Sequence, residues 1–353
     1  MAGRFWKEAA SLIIVGRAAN SGLQKCGRHH ADYNLLFLKR SQKSRFMPSA
    51  FVFPGGVIEN SDFSQEWLEV FEKCGYSSED LYRDFRSNGP LPEMYTNKPI
   101  KSLLPEVGFR ISAIRETFEE CGLLLSSHQQ GTILRQPDMR EWQEAVHKDS
   151  LKFLKFFQEF GGCPAIWQLH EWSNWLTPTK MSSRRFDTIF FITFVESLPE
   201  LNHDDKEISE IQTSSLSSIL KQWNNGDLWL PPPQLYEISR FLQFSHFDTM
   251  KSFAQERSKK GLERYLPVRV NTNNGVISIL PGDDLYPETP DLYGEEDIQS
   301  IDASLEELRQ NAQCLHRMEL KSRHNCQIAM NISPNNGQVK PADFADLFED
   351  SKL

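Results

Sequence analysis

The chain has few features of a secreted, membrane-spanning or nucleic-acid-binding protein. No apolar run approaches the roughly 20 residues that a transmembrane helix needs, and the apolar segment near the N-terminus is too short for a secretory signal. The six cysteines are scattered singly, without a CxxC pair, which predicts reduced thiols and argues against structural zinc. Acidic residues outnumber basic ones by 48 to 39, so a nucleic-acid partner is not expected.

The composition is that of a globular protein. Of the 353 residues, 39% are hydrophobic and 25% are charged, and no internal repeat is present. This length allows one large decorated domain or two modest ones, with enough chain to bury a core.

Short apolar runs alternate with helical patterns along the chain, which predicts a mixed α/β fold. The predicted strands cover residues 12–15, 33–38, 51–53 and 187–196, and a hairpin is predicted over 268–280. The predicted helices cover residues 108–121, 138–160, 214–223 and 235–257, with one more beyond residue 300. Residues 60–107 contain two helical pieces, 65–73 and 78–85, followed by four prolines, which is typical of an insertion.

Three carboxylates share one face of the predicted helix 108–121. Glu116, Glu119 and Glu120 fall within an arc of about 100°, opposite the apolar residues of the helix. Like charges at this spacing repel, and a divalent cation relieves the repulsion. Oxygen ligands suit Mg²⁺ or Mn²⁺, and Arg115 is placed to pair with one of the carboxylates. A solvated acidic face is the alternative interpretation.

The residues around this helix resemble the signature of the Nudix hydrolase family, G-x5-E-x7-R-E-U-x-E-E-x-G-U, where U is a bulky apolar residue. Its second half matches Arg115-Glu116-Thr117-Phe118-Glu119-Glu120-Cys121-Gly122-Leu123, and its first half matches Phe53-Pro54-Gly55-Gly56-Val57-Ile58-Glu59. About 45 extra residues separate the halves, an insertion that a surface loop tolerates. The first glutamate of the signature is matched by Asp62 or Glu106, depending on where the insertion closes.

The resemblance implies a Nudix-type α/β/α sandwich around a mixed sheet, with a long insertion and extra helices from the C-terminal region. It also implies hydrolysis of a diphosphate linked to another moiety. The expected metal ligands are Glu116, Glu119, Glu120 and the carbonyl oxygen of Gly56. A general base must accept a proton from the attacking water, and the sequence leaves Glu119 and Glu207 as alternatives.

The run from Leu35 to Pro48 is similar to the signature that precedes the box in coenzyme A diphosphatases of this family. Pro48-Ser49-Ala50 stands where that signature has a glycine. The run brings together four positive charges without an acid, which suits a 3′-phosphate or a pyrophosphate. These charges belong to Lys39, Arg40, Lys43 and Arg45.

The long insertion, Trp172, Trp175, Arg184-Arg185 and the final Ser351-Lys352-Leu353 together resemble the peroxisomal acyl-coenzyme A diphosphatase subgroup. The implied substrates are coenzyme A and acyl-coenzyme A, cleaved to 3′,5′-ADP and (acyl-)4′-phosphopantetheine. The alternatives are NADH, an ADP-linked metabolite or capped RNA as substrate, or a non-catalytic nucleotide-binding module. Arg184 and Arg185 either clamp a phosphate or cap a strand edge.

The last three residues match the tripeptide read by the peroxisomal import receptor, so a location in the peroxisomal matrix is expected. We expect a Nudix domain over residues 8–285, with an insertion at 60–107 and a helical elaboration at 138–180. Residues 286–353 are expected to form a helix and a flexible tail. We also hypothesise that the insertion forms a lid or wall for an acyl-pantetheine arm.

Overall fold

The computed structural model describes residues 6–18, 31–86, 89–96, 98, 103–127, 133–134, 139–199, 201 and 207–344. The strands are β1 (Lys7–Arg17), β2 (Tyr33–Arg40), β3 (Phe51–Val52), β4 (Gly55–Val57), β5 (Leu124–Leu125), β6 (Ile133–Leu134), β7 (His170–Leu176), β8 (Phe186–Val195), β9 (Ile208–Ser214), β10 (Arg264–Tyr265), β11 (Val268–Thr272), β12 (Gly275–Ile279), β13 (Gln299–Ser300), β14 (His316–Ser322) and β15 (Asn325–Met330). The helices are α1 (Glu66–Lys73), α2 (Ser78–Phe85), α3 (Glu93–Thr96), α4 (Pro105–Cys121), α5 (Met139–Lys148), α6 (Leu151–Phe160), α7 (Leu216–Asn225), α8 (Pro232–Phe241), α9 (Phe247–Ser258) and α10 (Leu305–Gln310). Within these residues, no helix is both long and apolar enough to cross a bilayer.

An eight-stranded mixed sheet forms the centre of the first part of the chain. Its main path runs β10-β7-β8-β1-β2-β3, with β4 paired to β1 and β9 paired to β2. β1 and β8 are parallel over their whole length, whereas β1 is antiparallel to β2 and to β4. β2 pairs with residues 15–17 of β1 and β4 pairs with residues 9–11, so β4 is fixed beside the N-terminal half of β1.

Helices cover both faces of this sheet. Successive residues of β1 point to opposite faces, so Leu12 and Ile14 enter one apolar core while Ile13 and Val15 enter another. The first core contains α1, α4 and α6, and the second contains α7, α8 and α9. The expected α/β/α sandwich with a mixed sheet is therefore confirmed.

α4 carries the three carboxylates and packs on the sheet through its apolar side. The helix begins at Pro105, whose missing N–H costs nothing in a first turn. It ends at Gly122, which has a φ of 70° and is a glycine C-cap, as the sequence indicates. Phe109 and Phe118 of this helix are fully buried.

The insertion packs on the same side of the sheet as α4. Trp67 of α1 contacts Phe153 and Phe157 of α6, and Phe63 packs edge-on against Phe109. The predicted helical pieces are α1 and α2.

Two of the predicted helices are each divided in two. The pattern at 138–160 forms α5 and α6, because Asp149 interrupts the helix and its carboxylate accepts the backbone N–H of Leu151. The pattern at 235–257 ends α8 at Phe241 because the hydroxyl of Tyr33 donates to the carbonyls of Phe241 and Phe244. α9 then starts where Asp32 accepts the backbone N–H of Phe247. Asp149 acts locally, whereas the break between α8 and α9 depends on Tyr33 and Asp32, which are distant in sequence and which helical periodicity does not register.

A second, five-stranded sheet follows, with the order β13-β11-β12-β14-β15. The predicted hairpin is confirmed as β11 and β12. β14 and β15 were not predicted, because polar residues are mixed into both strands. β12 pairs with β14, so the expected domain boundary at residue 285 passes between partner strands of one sheet. α10 packs on one face of that sheet through Leu305.

Candidate active site

The acidic face of α4 lies against the glycine turn at β4. The backbone N–H of Gly55 donates to Oε2 of Glu120 at 2.8 Å. The carboxylate of Glu116 lies so close to Gly56 that a Cβ built there would stand 2.4 Å from its Oε2. A side chain at residue 56 would therefore displace the Glu116 carboxylate from this position. The fold brings together the two halves of the motif, which the insertion separates in the chain.

Arg115 organises the base of the carboxylate cluster. This buried guanidinium donates from Nε and Nη2 to both oxygens of Asp62, at 2.8 and 2.9 Å. Its Nη1 also donates to Glu116 at 2.9 Å and to Glu119 at 2.6 Å. Asp62, rather than Glu106, therefore occupies the place of the first acidic residue of the motif. Glu106 lies in the first turn of α4 and makes no ion pair with Arg115.

Burial and mutual repulsion shift the pKa values of the cluster. Burial raises the pKa of Glu116 to about 7, and the charge of Glu119 adds to the effect. Burial also raises the pKa of Glu119, and burial with the charge of Glu116 raises the pKa of Glu120 well above its usual value. Burial opposes the charge of Arg115, but Asp62 and the glutamates outweigh it and raise the pKa of Arg115. One buried arginine thus faces more carboxylates than it can neutralise.

This donor set fits a divalent cation. In the described residues, no group of three or more His, Cys, Asp or Glu side chains is arranged as a ready metal cluster. Arg115 and the Gly55 amide hold some of the carboxylate oxygens. The remaining oxygens of Glu116, Glu119 and Glu120 are the hard ligands that Mg²⁺ and Mn²⁺ prefer.

A cavity of about 1330 Å³ opens in front of these carboxylates. Glu207 lines it, as do the backbone of Gly56 and the loop at residues 40–48. Glu207 is exposed, and its charge contributes to raising the pKa of Glu119 and of Glu120. The structure therefore places both candidate general bases at one cavity.

The predicted phosphate-binding cations separate into two groups. Arg40, Lys43, Arg45 and Arg184 line the cavity. Lys39 does not line it, because its ammonium pairs with Glu210 at 3.1 Å on the neighbouring strand.

Arg185 also lies outside the cavity lining. It donates to the carbonyl of Thr177 at 2.9 Å and to that of Leu292 at 2.6 Å, so it ties two loops together. This geometry corresponds to the strand-edge interpretation and not to a phosphate clamp.

Arg40 shapes the loop that carries the other cations. Its guanidinium donates to the hydroxyl of Ser44 and to the carbonyl of Phe46. In the same loop Ser49 has a φ of 60°, in the left-handed region that favours glycine. Ser49 belongs to the segment Pro48-Ser49-Ala50, which stands where the coenzyme A signature has a glycine, and its own backbone adopts a conformation that favours glycine.

Trp172 and Trp175 are buried, and both indole N–H groups donate to Glu237, at 2.8 and 2.7 Å. Trp175 also forms part of the cavity lining. Burial and the shared Glu237 partner make both of them core residues.

Two parts of the cavity lining were not predicted from the sequence. His147 of α5 lines it, with Nδ1 3.5 Å from Oε2 of Glu119. The C-terminal sheet forms a further stretch of the lining. Neither belongs to a recognisable motif, and both reach the site only through tertiary packing.

The hypothesis that the insertion forms a wall of the site is wrong for its described residues. None of those between Asn60 and Leu104 lines the cavity. Their apolar side chains are used in packing against α4 and α6. Ser351-Lys352-Leu353 lies outside the described residues.

A glycine turn, a helix with three clustered carboxylates and a buried Arg–Asp pair on an α/β/α sandwich together define the site of a Nudix hydrolase. A solved Nudix hydrolase from Alicyclobacillus acidocaldarius shares the fold, with a TM-score of 0.52 and 21% identity over 71% of this chain and 97% of that one. Nudix hydrolases generally act with divalent metal ions.

Family models resolve the relationship further. The model described as the NUDT19 Nudix domain matches residues 6–241, and that described as the NUDT19 C-terminal domain matches residues 269–331. The chain therefore belongs to the NUDT19 family of Nudix hydrolases. It is 38% identical to the acyl-coenzyme A diphosphatase NUDT19 of Gallus gallus, over 96% of this chain and 95% of that protein. Identity to the protein of the same name from Homo sapiens is 32%, over 95% and 94%.

Proposed function

We propose that this protein hydrolyses the diphosphate of coenzyme A and acyl-coenzyme A, releasing 3′,5′-ADP and (acyl-)4′-phosphopantetheine. The observation that carries the proposal is the similarity to proteins named acyl-coenzyme A diphosphatase over almost the whole chain, C-terminal region included. The carboxylates and basic loop that line one large cavity provide the matching chemistry.

Mg²⁺ or Mn²⁺ would be held by Glu116, Glu119 and Glu120, with the carbonyl of Gly56 as a further ligand. When bound there, the ion would supply positive charge that neutralises phosphate oxygens and would orient a water. Arg115 holds two of the carboxylates in place, and the Gly55 amide holds the third. Arg40, Lys43, Arg45 and Arg184 line the route along which the phosphates of the substrate enter.

In the reaction, the oxygen of water forms a bond to one phosphorus. The bond from that phosphorus to the bridging oxygen breaks, and the bridging oxygen leaves with the other phosphate. A base accepts the proton of the water. We assign this role to Glu207, whose carboxylate makes no hydrogen bond or ion pair with the described residues, whereas Glu119 accepts a 2.6 Å bond from Arg115.

The test combines purified protein, Mg²⁺ or Mn²⁺ and a panel of diphosphates, with products identified by mass. We expect cleavage of coenzyme A and its acyl esters. Cleavage of NADH, an ADP-linked metabolite or capped RNA with coenzyme A left intact would reject the proposed substrate. No turnover of any compound would favour a binding module.

Glu120→Gln tests the role of the carboxylate with little change in shape, because its amide oxygen can still accept the Gly55 N–H. We expect a folded protein that has lost turnover. The melting temperature of the wild type should rise with the divalent cation, and that of the variant should not. Full activity in the variant would exclude Glu120 as an essential ligand.

Peroxisomal localisation through Ser351-Lys352-Leu353 stays a prediction from the sequence. A fluorescent protein fused before residue 1 keeps the tripeptide free. We expect a punctate signal that overlaps a peroxisomal marker and disperses when the three residues are deleted. A dispersed signal for the intact chain would contradict the prediction.

A further inference from the structure

The C-terminal sheet turns one of its two faces toward the cavity that contains the carboxylates. Val276, Leu320 and Cys326 are aligned across β12, β14 and β15, and all three line the cavity. Met318, two residues before Leu320 on β14, lines it as well. The opposite face, with Ile277 and Ile279, is closed by α10 through Leu305. The sheet therefore has one face covered by α10, while its other face packs in part into the second apolar core, where Met318 and Cys326 are buried, and in part lines the cavity.

The cavity-facing surface of this sheet is mainly apolar and continues onto apolar residues of the first domain. Trp229 and Leu230 extend it on one side, and Phe186 and Phe190 of β8 belong to the same cavity. Hydrolysis of a diphosphate requires charged and polar groups, which the carboxylates and the basic loop already provide. An apolar wall implies that an apolar part of the ligand is also bound.

Two of the three cations near this wall already have partners. Lys321 pairs with Glu306 at 2.6 Å, and the guanidinium of Arg323 lies 4.3 Å from the ring centre of Trp229. Arg269, the third, has no ion-pair partner within the described residues and lines the cavity beside Ser278. Arg269 is therefore available to donate hydrogen bonds to a carbonyl-bearing ligand group that lies along this wall.

The volume of the cavity also supports the binding of an additional apolar group. Small-molecule sites usually enclose about 300–1,000 Å³, whereas this cavity measures about 1330 Å³. It has room for more than a nucleoside diphosphate.

We infer that the C-terminal sheet binds the acyl-pantetheine arm of the substrate, with Val276 and Leu320, the partly exposed side chains of its cavity face, contacting the acyl chain. This inference rests on the proposed function and adds the part of the molecule that selects acyl length. Arg269 donates to carbonyl oxygens of the arm. The sheet thus takes the role that the sequence suggested for the insertion.

The test compares kcat/KM for free coenzyme A and for acetyl, octanoyl and palmitoyl esters. Leu320→Asp places a carboxylate on the apolar wall and should lower the value for the palmitoyl ester by about tenfold or more, because a long chain loses apolar burial. Free coenzyme A should stay within about twofold of wild type. Leu285→Asp is the control, since Leu285 is 38% exposed and does not line the cavity.

Leu320→Trp provides a second variant, which keeps the wall apolar but fills space. We expect it to shift the preference toward short chains while free coenzyme A is still cleaved. Thermal melting checks that each variant folds. An equal loss for free and acylated coenzyme A would overturn the inference, because Leu320 would then contact the part common to both and not the acyl chain. Unchanged chain-length profiles in both variants would also overturn it.

A binding measurement separates this inference from the proposed activity. If the wild type cleaved neither coenzyme A nor its esters, the proposed function would fail. Tryptophan fluorescence titration would still report whether palmitoyl-coenzyme A binds more tightly than coenzyme A and whether Leu320→Asp removes the difference. Equal affinity of the wild type for the two ligands would overturn the inference independently of turnover.

Discussion

Arg115 and Asp62, 53 positions apart in the chain, form a buried bidentate ion pair beneath the acidic face of α4. The pair closes the insertion against the helix, because Asp62 lies at its start and Arg115 lies beyond its end. Asp62 also accepts the backbone N–H of Glu59, so the same carboxylate holds the chain that leaves the glycine turn.

Replacing Asp62 by Asn should destabilise the protein by about 3 kcal/mol, because it leaves the buried guanidinium with an incomplete set of anionic partners. Turnover should also fall, since Arg115 positions Glu116 and Glu119. Urea unfolding and steady-state kinetics measure the two effects. Glu106→Gln is the control: burial raises the pKa of Glu106, so a neutral side chain there should cost little. Equal losses of stability and turnover in Asp62→Asn and Glu106→Gln would contradict the role of Asp62 as the partner that holds Arg115.

Arg45 and Lys39 belong to the same basic run but differ in position relative to the cavity, so substitutions at the two residues can be compared. Arg45 lines the cavity, whereas Lys39 is paired with Glu210 outside it. Arg45→Gln should raise KM for coenzyme A about tenfold, as expected for loss of a charge-assisted hydrogen bond. Lys39→Gln should leave KM within about twofold. A larger effect for Lys39 than for Arg45 would contradict the observed placement.

Substitutions at Ser49 test whether the left-handed backbone conformation in the loop that carries Arg45 affects stability. Its φ of 60° strains most residues but not glycine. Ser49→Gly should keep or slightly raise the unfolding free energy, while Ser49→Val should lower it by about 1–2 kcal/mol, because a β-branched residue is least compatible with this region. Ser49→Ala isolates the effect of branching. A Val variant as stable as the Ala variant would argue that the turn rearranges.

His316 gives a prediction for the effect of pH on stability. Its Nδ1 lies 2.6 Å from the carbonyl of Pro281 and its Nε2 lies 2.7 Å from the hydroxyl of Tyr236, which suits a neutral ring. Burial lowers the pKa of His316 to about 4. The unfolded chain therefore binds the proton first, so stability is lost as pH falls from about 6.5 to about 4, by up to about 3 kcal/mol.

The measurement is urea unfolding of wild type and His316→Asn between pH 7 and 4.5. The variant should be less stable at pH 7, because it loses a buried contact, and its stability should fall less steeply with acid. His246→Asn, a change at an exposed histidine, should keep the wild-type slope. Parallel curves of unfolding free energy against pH for wild type and His316→Asn would show that this ring does not contribute to the pH dependence of stability.

Local sequence patterns were enough to identify the chemical groups of the site. Helical periodicity decides which side chains of a helix share a face, so Glu116, Glu119 and Glu120 were found without coordinates. Gly56 and Gly122 were found because turns and helix ends impose their own residue preferences. The sandwich followed from the order of strands and helices together with the family resemblance.

Which distant groups lie against that face of the helix depends on long-range packing and could not be predicted from local patterns. The choice of Asp62 over Glu106 depends on how the insertion closes, and the positions of Lys39 and Arg185 depend on partners from other strands and loops. The wall formed by the C-terminal sheet has no motif at all. Local patterns in a chain record contacts within a few residues, whereas the walls of a cavity are set by packing between segments far apart in sequence.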